Sequence, residues 1–109
     1  MTTISKTAEI VTLINVFTVA PENQQRLVEM LVEATEKTMR YLPGFISANF
    51  HKSLDGVRVA NYAQWRSRED FEAMFKNPEA LAHMGPILEI ATNDAHLYEV
   101  IDTFSTAKD

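Results

Sequence analysis

Asn61-Tyr62-Ala63-Gln64-Trp65 closes an alternating run that begins at Arg58 and stops before Ser67, a residue type that starts helices. In a strand, side chains two apart share a face. Asn61, Ala63 and Trp65 therefore point one way, and Tyr62 and Gln64 the other. One surface carries an amide, an alanine-sized gap and the chain's only tryptophan. Such a surface suits the wall of a pocket for a flat aromatic guest. A core tryptophan with its indole N–H satisfied nearby is the alternative this segment leaves open.

Working outward, Asp55-Gly56 is a hairpin turn signal, which pairs Arg58–Trp65 with a preceding strand from Phe45 to Ser53. Alternation within that strand places His51 on one face with Phe45, Ser47 and Asn49. Upstream, the run from Glu9 to Val19 is rich in β-branched residues and apolar on both faces. Asn15 shares a face with Val11, Leu13, Phe17 and Val19, where a lone amide needs hydrogen-bond partners. Pro21 opens a helix with Leu27, Met30, Leu31, Ala34 and Tyr41 on its stripe, and Leu42-Pro43-Gly44 ends it. Downstream, Ser67-Arg68-Glu69-Asp70 reads as a capping box before a short helix with Phe71, Met74 and Phe75 inward. Asn77-Pro78 starts another helix, carrying Leu81, His83 and Met84, which Gly85-Pro86 breaks or kinks before Ile87 continues it. His96 to Phe104 alternates as a fourth strand.

The order β-α-β-β-α-β is the ferredoxin-like split pattern: an α+β fold with one antiparallel sheet and helices on one face. Residues 1–8 are expected as a disordered N-terminal tail, 9–104 as the single domain and 105–109 as a C-terminal tail. The uncovered sheet face would carry Ile10, Ile14, Val16, Ala60, Tyr62 and several apolar neighbours, more apolar surface than monomers usually leave bare. The expected partner is a second copy, joined through the sheet face with Tyr62 and Gln64 in the interface.

At 109 residues, the chain can hold one core but not a large private cavity as well. Its net charge of −5, without a basic stripe, argues against nucleic acid as a partner. It has no apolar run of membrane-spanning length and no signal-peptide core at its start, which fits a cytoplasmic location. With no cysteine, thiolate metal sites and cysteine nucleophiles are ruled out. Neither a carboxylate–histidine cluster at metal spacing nor a glycine-rich dinucleotide fingerprint is present, so no metal is expected.

Asn15, Leu42-Pro43-Gly44-Phe45, Asn61 to Trp65, Ser67 to Phe71 and Leu81-Ala82-His83, in this order and spacing, resemble the antibiotic biosynthesis monooxygenase (ABM) domain superfamily. The resemblance covers about residues 9–104 and implies a dimeric α+β barrel. Pro43 to Ala48, His51, Asp55-Gly56 and Asn61 to Trp65 resemble its cofactor-independent anthrone oxygenases, which make quinones with O2. Phe71 stands where one pattern of that branch has a tyrosine, so no phenol is available there to donate a proton. A second, haem-degrading branch has an Asn, a Trp and a His ligand that Asn15, Trp65 and His83 match, which makes haem the alternative cofactor and His83 its iron ligand. Glu79 and Glu89, with little positive charge, surround His83, a poor setting for haem propionates. A non-catalytic dimer binding a small ligand is the third possibility.

Oxygen in its ground state reacts with an organic molecule only through one-electron steps unless a flavin or metal intervenes. A deprotonated phenol or anthrone is electron-rich enough to supply that electron itself. The expected catalytic residues are then Asn15 and Asn61 for holding the anionic oxygen, Trp65 as ring wall and N–H donor, and His51 as base. An amide cannot itself take the proton near neutrality. Phe17, Phe71, Met74, Phe75, Leu81 and Met84 are the expected substrate-binding wall.

Overall fold

The structure, a computed structural model, describes residues 2–107. Met1, Lys108 and Asp109, the ends of the two expected tails, lie outside the described residues. Four strands, β1 (Val11–Val19), β2 (Phe45–Lys52), β3 (Arg58–Trp65) and β4 (Ala91–Tyr98), form one sheet in the order β2-β3-β1-β4. Every neighbouring pair is antiparallel. Three helices, α1 (Gln24–Lys37), α2 (Arg68–Ala73) and α3 (Pro78–Ile90), complete the ferredoxin-like α+β fold. Among the described residues no helix is long and apolar enough to cross a membrane.

Local chemistry fixes each helix start. Pro21 opens a 3-10 turn, Pro21–Asn23, that leads into α1. The Ser67 hydroxyl accepts the Asp70 N–H at 3.1 Å and so caps α2. The Asn77 side chain likewise accepts the Ala80 N–H at 3.0 Å, with Pro78 in the first turn of α3. Buried Gln24 then ties the start of α1 to the hairpin, donating to the Ser53 and Arg58 carbonyls at 3.1 and 3.0 Å.

Packing puts Leu27, Leu31 and Ala34 of α1 and Ile87 of α3 over the sheet. One buried cluster gathers Phe17, Val19, Leu27, Leu31, Val59 and Ile87; a second gathers Leu13, Ala63 and Trp65. Fully burying side chains of the leucine or valine class contributes roughly 1.5–3 kcal/mol each.

Four expectations are corrected. The fourth strand runs over Ala91–Tyr98, directly after α3, not His96 to Phe104. Its Thr92-Asn93-Asp94 run has poor strand propensity, but pairing with β1 from Val19↔Ala91 to Thr12↔Tyr98 overrides it. Ile101 and Phe104, read as strand residues, lie exposed outside any helix or strand. Helix α3 runs unbroken through Pro86, whose missing N–H leaves the carbonyl of exposed Ala82 unpaired, where water can donate to it. Tyr41 is 73% exposed, because α1 ends at Lys37 and the 3-10 turn Met39–Tyr41 takes it out of helical phase. Finally, a bulge between Phe45 and Ser47 reverses the alternation of β2. Phe45 pairs with Trp65, Ser47 with Gln64 and His51 with Ala60, so Phe45 and His51 stand on opposite faces.

The first residues lie against the face away from the helices. The Thr2 hydroxyl donates to Asn49 Oδ1 at 2.9 Å, and Gln64 Nε2 donates to the Thr3 carbonyl at 2.7 Å. Gln64, expected in a dimer interface, is thereby 2% exposed within its own chain.

Candidate active site

Between the two buried clusters, the helix-covered face encloses a cavity of about 120 Å³. Its floor is the sheet. Asn15 and Asn61 face each other directly across β1 and β3, and Leu13 faces Ala63 in the next pair. Trp65, at the end of β3, forms one side.

The orientation of the two amides follows from their partners. Asn61 Oδ1 accepts the Asn49 backbone N–H at 3.2 Å, and Asn15 Oδ1 accepts Asn93 Nδ2 at 3.2 Å. Both carbonyl ends are engaged, while neither N–H2 has a protein partner among the described residues. The Trp65 indole N–H also lacks one, although Trp65 is 2% exposed. No side-chain polar atom among the described residues is both sealed off and unpaired, so this N–H is not fully enclosed by protein.

Edge-to-face aromatic contacts brace the wall. Trp65 meets Phe45 at 5.6 Å and Phe71 at 5.9 Å between ring centroids, and Phe71 meets Phe75 at 5.4 Å. Phe17 lines the floor; Met74 and Met84 line the helix side. Of the lining residues, the polar ones are Asn15, Asn61, Asn93, Thr35 and the Trp65 indole, and Thr35 spends its hydroxyl on the Leu31 carbonyl. No lining side chain is an acid or a base near neutrality.

The family model for antibiotic biosynthesis monooxygenases matches residues 10–85. The chain is also 45% identical, over 95% of its own length and 93% of the relative's, to tetracenomycin-F1 monooxygenase of Streptomyces glaucescens. The chain belongs to the ABM family. Its fold is similar to that of the monooxygenase from the gene ActVA-Orf6 of Streptomyces coelicolor, solved in complex with nanaomycin D, at a TM-score of 0.79 and 26% identity. That match covers 89% of this chain and 92% of the other. The cofactor-independent oxygenase SnoaB of Streptomyces nogalater aligns with a TM-score of 0.76 and 24% identity, over 91% and 100% of the two chains.

Within this ABM fold, the structure gathers Asn15, Asn61, Trp65, Phe17, Phe71, Met74, Phe75 and Met84 around one cavity and leaves three expected residues outside it. His51 is turned by the β2 bulge onto the opposite face, exposed, with Nδ1 3.1 Å from the Asn49 carbonyl. His83 is half-buried, its Nε2 lies 3.1 Å from the hydroxyl of buried Thr38 at the end of α1, and it is not among the cavity-lining residues. Leu81 is 46% exposed, because the inward positions of α3 are Ala80, Met84 and Ile87. Asn93 and Ala95 were missed, since the sequence placed β4 five residues too late. Nothing in their composition marks a strand; only the pairing with β1 brings them to the cavity.

Proposed function

We propose that this ABM monooxygenase oxidises a small phenolic polycycle of the anthrone type to a quinone with O2, using no organic cofactor or metal. The observation that carries the reading is a cavity whose polar inventory is amide and indole N–H donors with no acid or base among them. Such a site suits a substrate that ionises readily by itself and needs its anion held. The tetracenomycin-F1 monooxygenase likeness supports the same substrate class.

The reaction divides as follows. The anthrone loses a proton from its methylene carbon, and the resulting enolate oxygen accepts N–H bonds from Asn15 and Asn61. The enolate transfers one electron to O2. The caged pair combines to a peroxide at the former methylene carbon, and loss of water leaves the quinone. In sum, anthrone and O2 give quinone and water. Trp65 shields the ring and offers its N–H to the peroxide oxygen, while Phe17, Phe71, Met74, Phe75 and Met84 exclude water around it. The proton leaves through solvent, His51 being on the other side of the sheet.

A cytoplasmic homodimer completes the proposal, with the open sheet face packed on that of a second copy. Ile14, Val16, Ala60 and Tyr62, none of them fully buried, stand side by side on that face.

Oxygen uptake with anthrone in chelator-treated buffer tests the activity. Wild-type protein is expected to consume one O2 per quinone formed, and Asn15→Ala and Trp65→Phe are expected to lose most of the rate. Absence of uptake by the wild type across phenolic polycycles would sink the proposal.

A further inference from the structure

An amide can offer a substrate either its oxygen or its N–H2, and the two ends have opposite effects on a bound anion. Asn61 has no choice: the Asn49 backbone N–H can only donate, so Asn61 must turn its oxygen there and its N–H2 inward. Asn15 has no backbone anchor of that kind. Its orientation rests on Asn93 Nδ2, 3.2 Å from Asn15 Oδ1. Asn93 pairs with Phe17 and Asn15 with Ala95, so the two amides meet diagonally across β1 and β4 on the cavity face. Ala95, directly beside Asn15, has no polar atom in its side chain to hold it.

We propose that Asn93 is a positioning residue, which holds the Asn15 carbonyl so that the Asn15 N–H2 donates, beside that of Asn61, to an anionic oxygen of the substrate. The inference rests on the phenolic-substrate reading above and adds to it how the donor is aimed. Without Asn93 the Asn15 amide turns freely, and one of its two orientations points an oxygen lone pair at the anion. An ionised carboxylate at position 93 is worse than nothing there. It can only accept, so it draws the Asn15 N–H2 out of the cavity.

The test uses the full-length protein, with 1,8-dihydroxyanthraquinone as a probe whose visible band shifts on ionisation. Wild type, Asn93→Ala and Asn93→Asp are titrated with the probe bound, and kcat and KM for anthrone are measured beside them. The wild type should favour the probe's anion relative to free solution. The proton concentration at half-ionisation should fall about threefold in N93A and about tenfold in N93D, with kcat falling by similar factors and KM within about twofold. The N93D effect should persist at high salt, where through-solvent repulsion from the new charge is screened. Aspartate has the same shape as asparagine, so a merely structural role at this exposed position predicts N93A, and N93D once salt has screened its charge, close to wild type in probe ionisation; that result overturns the proposal. An N93D effect abolished by salt, or a wild type that does not favour the anion, overturns it too. Anthrone turnover with probe ionisation indifferent to residue 93 defeats the positioning role alone. Ionisation sensitive to residue 93 without turnover of any phenol supports the positioning role and defeats the oxidase reading instead.

Discussion

On the helix-covered face of the sheet, the cavity is lined by amides, aromatic rings and thioethers, and by no side chain that titrates near neutrality. On the opposite face stand His51, His96, Asp94, Tyr62 and Tyr98, drawn from β2, β3 and β4. His96 and Asp94 even form a pair at 2.6 Å there. The same four strands therefore present two chemistries, sorted by the two-residue period of the backbone. If the reaction occurs in the cavity, the protein holds an anion and does not make one, and the substrate's own acidity sets how much is available.

The sharpest way to break this comparison is to delete one polar group from each face. Asn15→Ala removes a donor aimed at developing charge and should lower kcat about 10²-fold, within the range seen for single oxyanion donors. His51→Ala, on the other face, should leave kcat/KM within about twofold, as expected of a group that touches no reacting atom. Steady-state oxygen uptake measures both. A large loss in the histidine variant would return the base to the mechanism and imply that the two faces communicate.

The bulge of β2 puts His51 on the open face, and Gly44 stands just before that bulge. Gly44 has φ of 83°, its carbonyl accepts the Arg66 N–H at 2.7 Å, and a Cβ added there would collide with the Asp70 side chain. Gly44→Ala combines left-handed backbone strain with that collision and should cost about 2–3 kcal/mol, since either effect alone is of order 1 kcal/mol or more. Thermal unfolding reads it. Gly56, with φ of 84° and open space where a Cβ would go, provides the control: alanine there should cost only the backbone term, about 1 kcal/mol.

How much of this could be read from the sequence depends on how local each determinant is. The Ser67 and Asn77 caps, the Asp55-Gly56 turn and the shared face of Asn61, Ala63 and Trp65 depend on neighbours within a few residues, and all were legible. The face of His51 was not, because one extra residue in β2 inverts everything beyond it and no single residue announces a bulge. β4 was misplaced for a related reason. Its strand character comes from the hydrogen-bonding edge of β1 and not from Thr92-Asn93-Asp94, whereas the apolar residues beyond Tyr98 gave a false signal. Losing β4 meant losing Asn93, so two of the cavity's three amides were found and the partner that orients one of them was not.

A substitution on the open face sharpens the comparison from the other side. Val16 stands between Ala60 and Asp94 there. Val16→Glu would bring a second carboxylate beside Asp94 and a charge into the middle of the proposed dimer interface, where desolvation opposes it. Size-exclusion chromatography with light scattering should show a dimer for the wild type and a shift towards monomer for the variant. A wild type that elutes as a monomer at micromolar concentration would remove the reason for the apolar half of that face.

The smallest expected effect lies at the rim, where charge meets the helix-covered face. Arg66 pairs with Asp70 through two hydrogen bonds, of 2.8 and 3.0 Å, and the Ser67 hydroxyl adds a third at 2.9 Å. The Arg66 bond, then the Ser67 bond, hold the Asp70 carboxyl below the usual carboxylate range. A carboxyl depressed in the folded state contributes stability that is fully present above its unfolded ionisation and is lost as the pH falls through the folded one. Asp70→Asn should therefore remove that contribution at neutral pH and flatten the acid limb of the stability curve by the same amount, a small one since exposed ion pairs contribute little. Denaturant midpoints at pH 7 and across the acid range read the difference. An equally steep acid limb in the variant would assign it to other carboxylates, of which Glu33 and Asp55 are also depressed, by Lys37 and Ser53 respectively. None of the three lines the cavity, so acid should loosen the frame of the site before it alters the site's own chemistry.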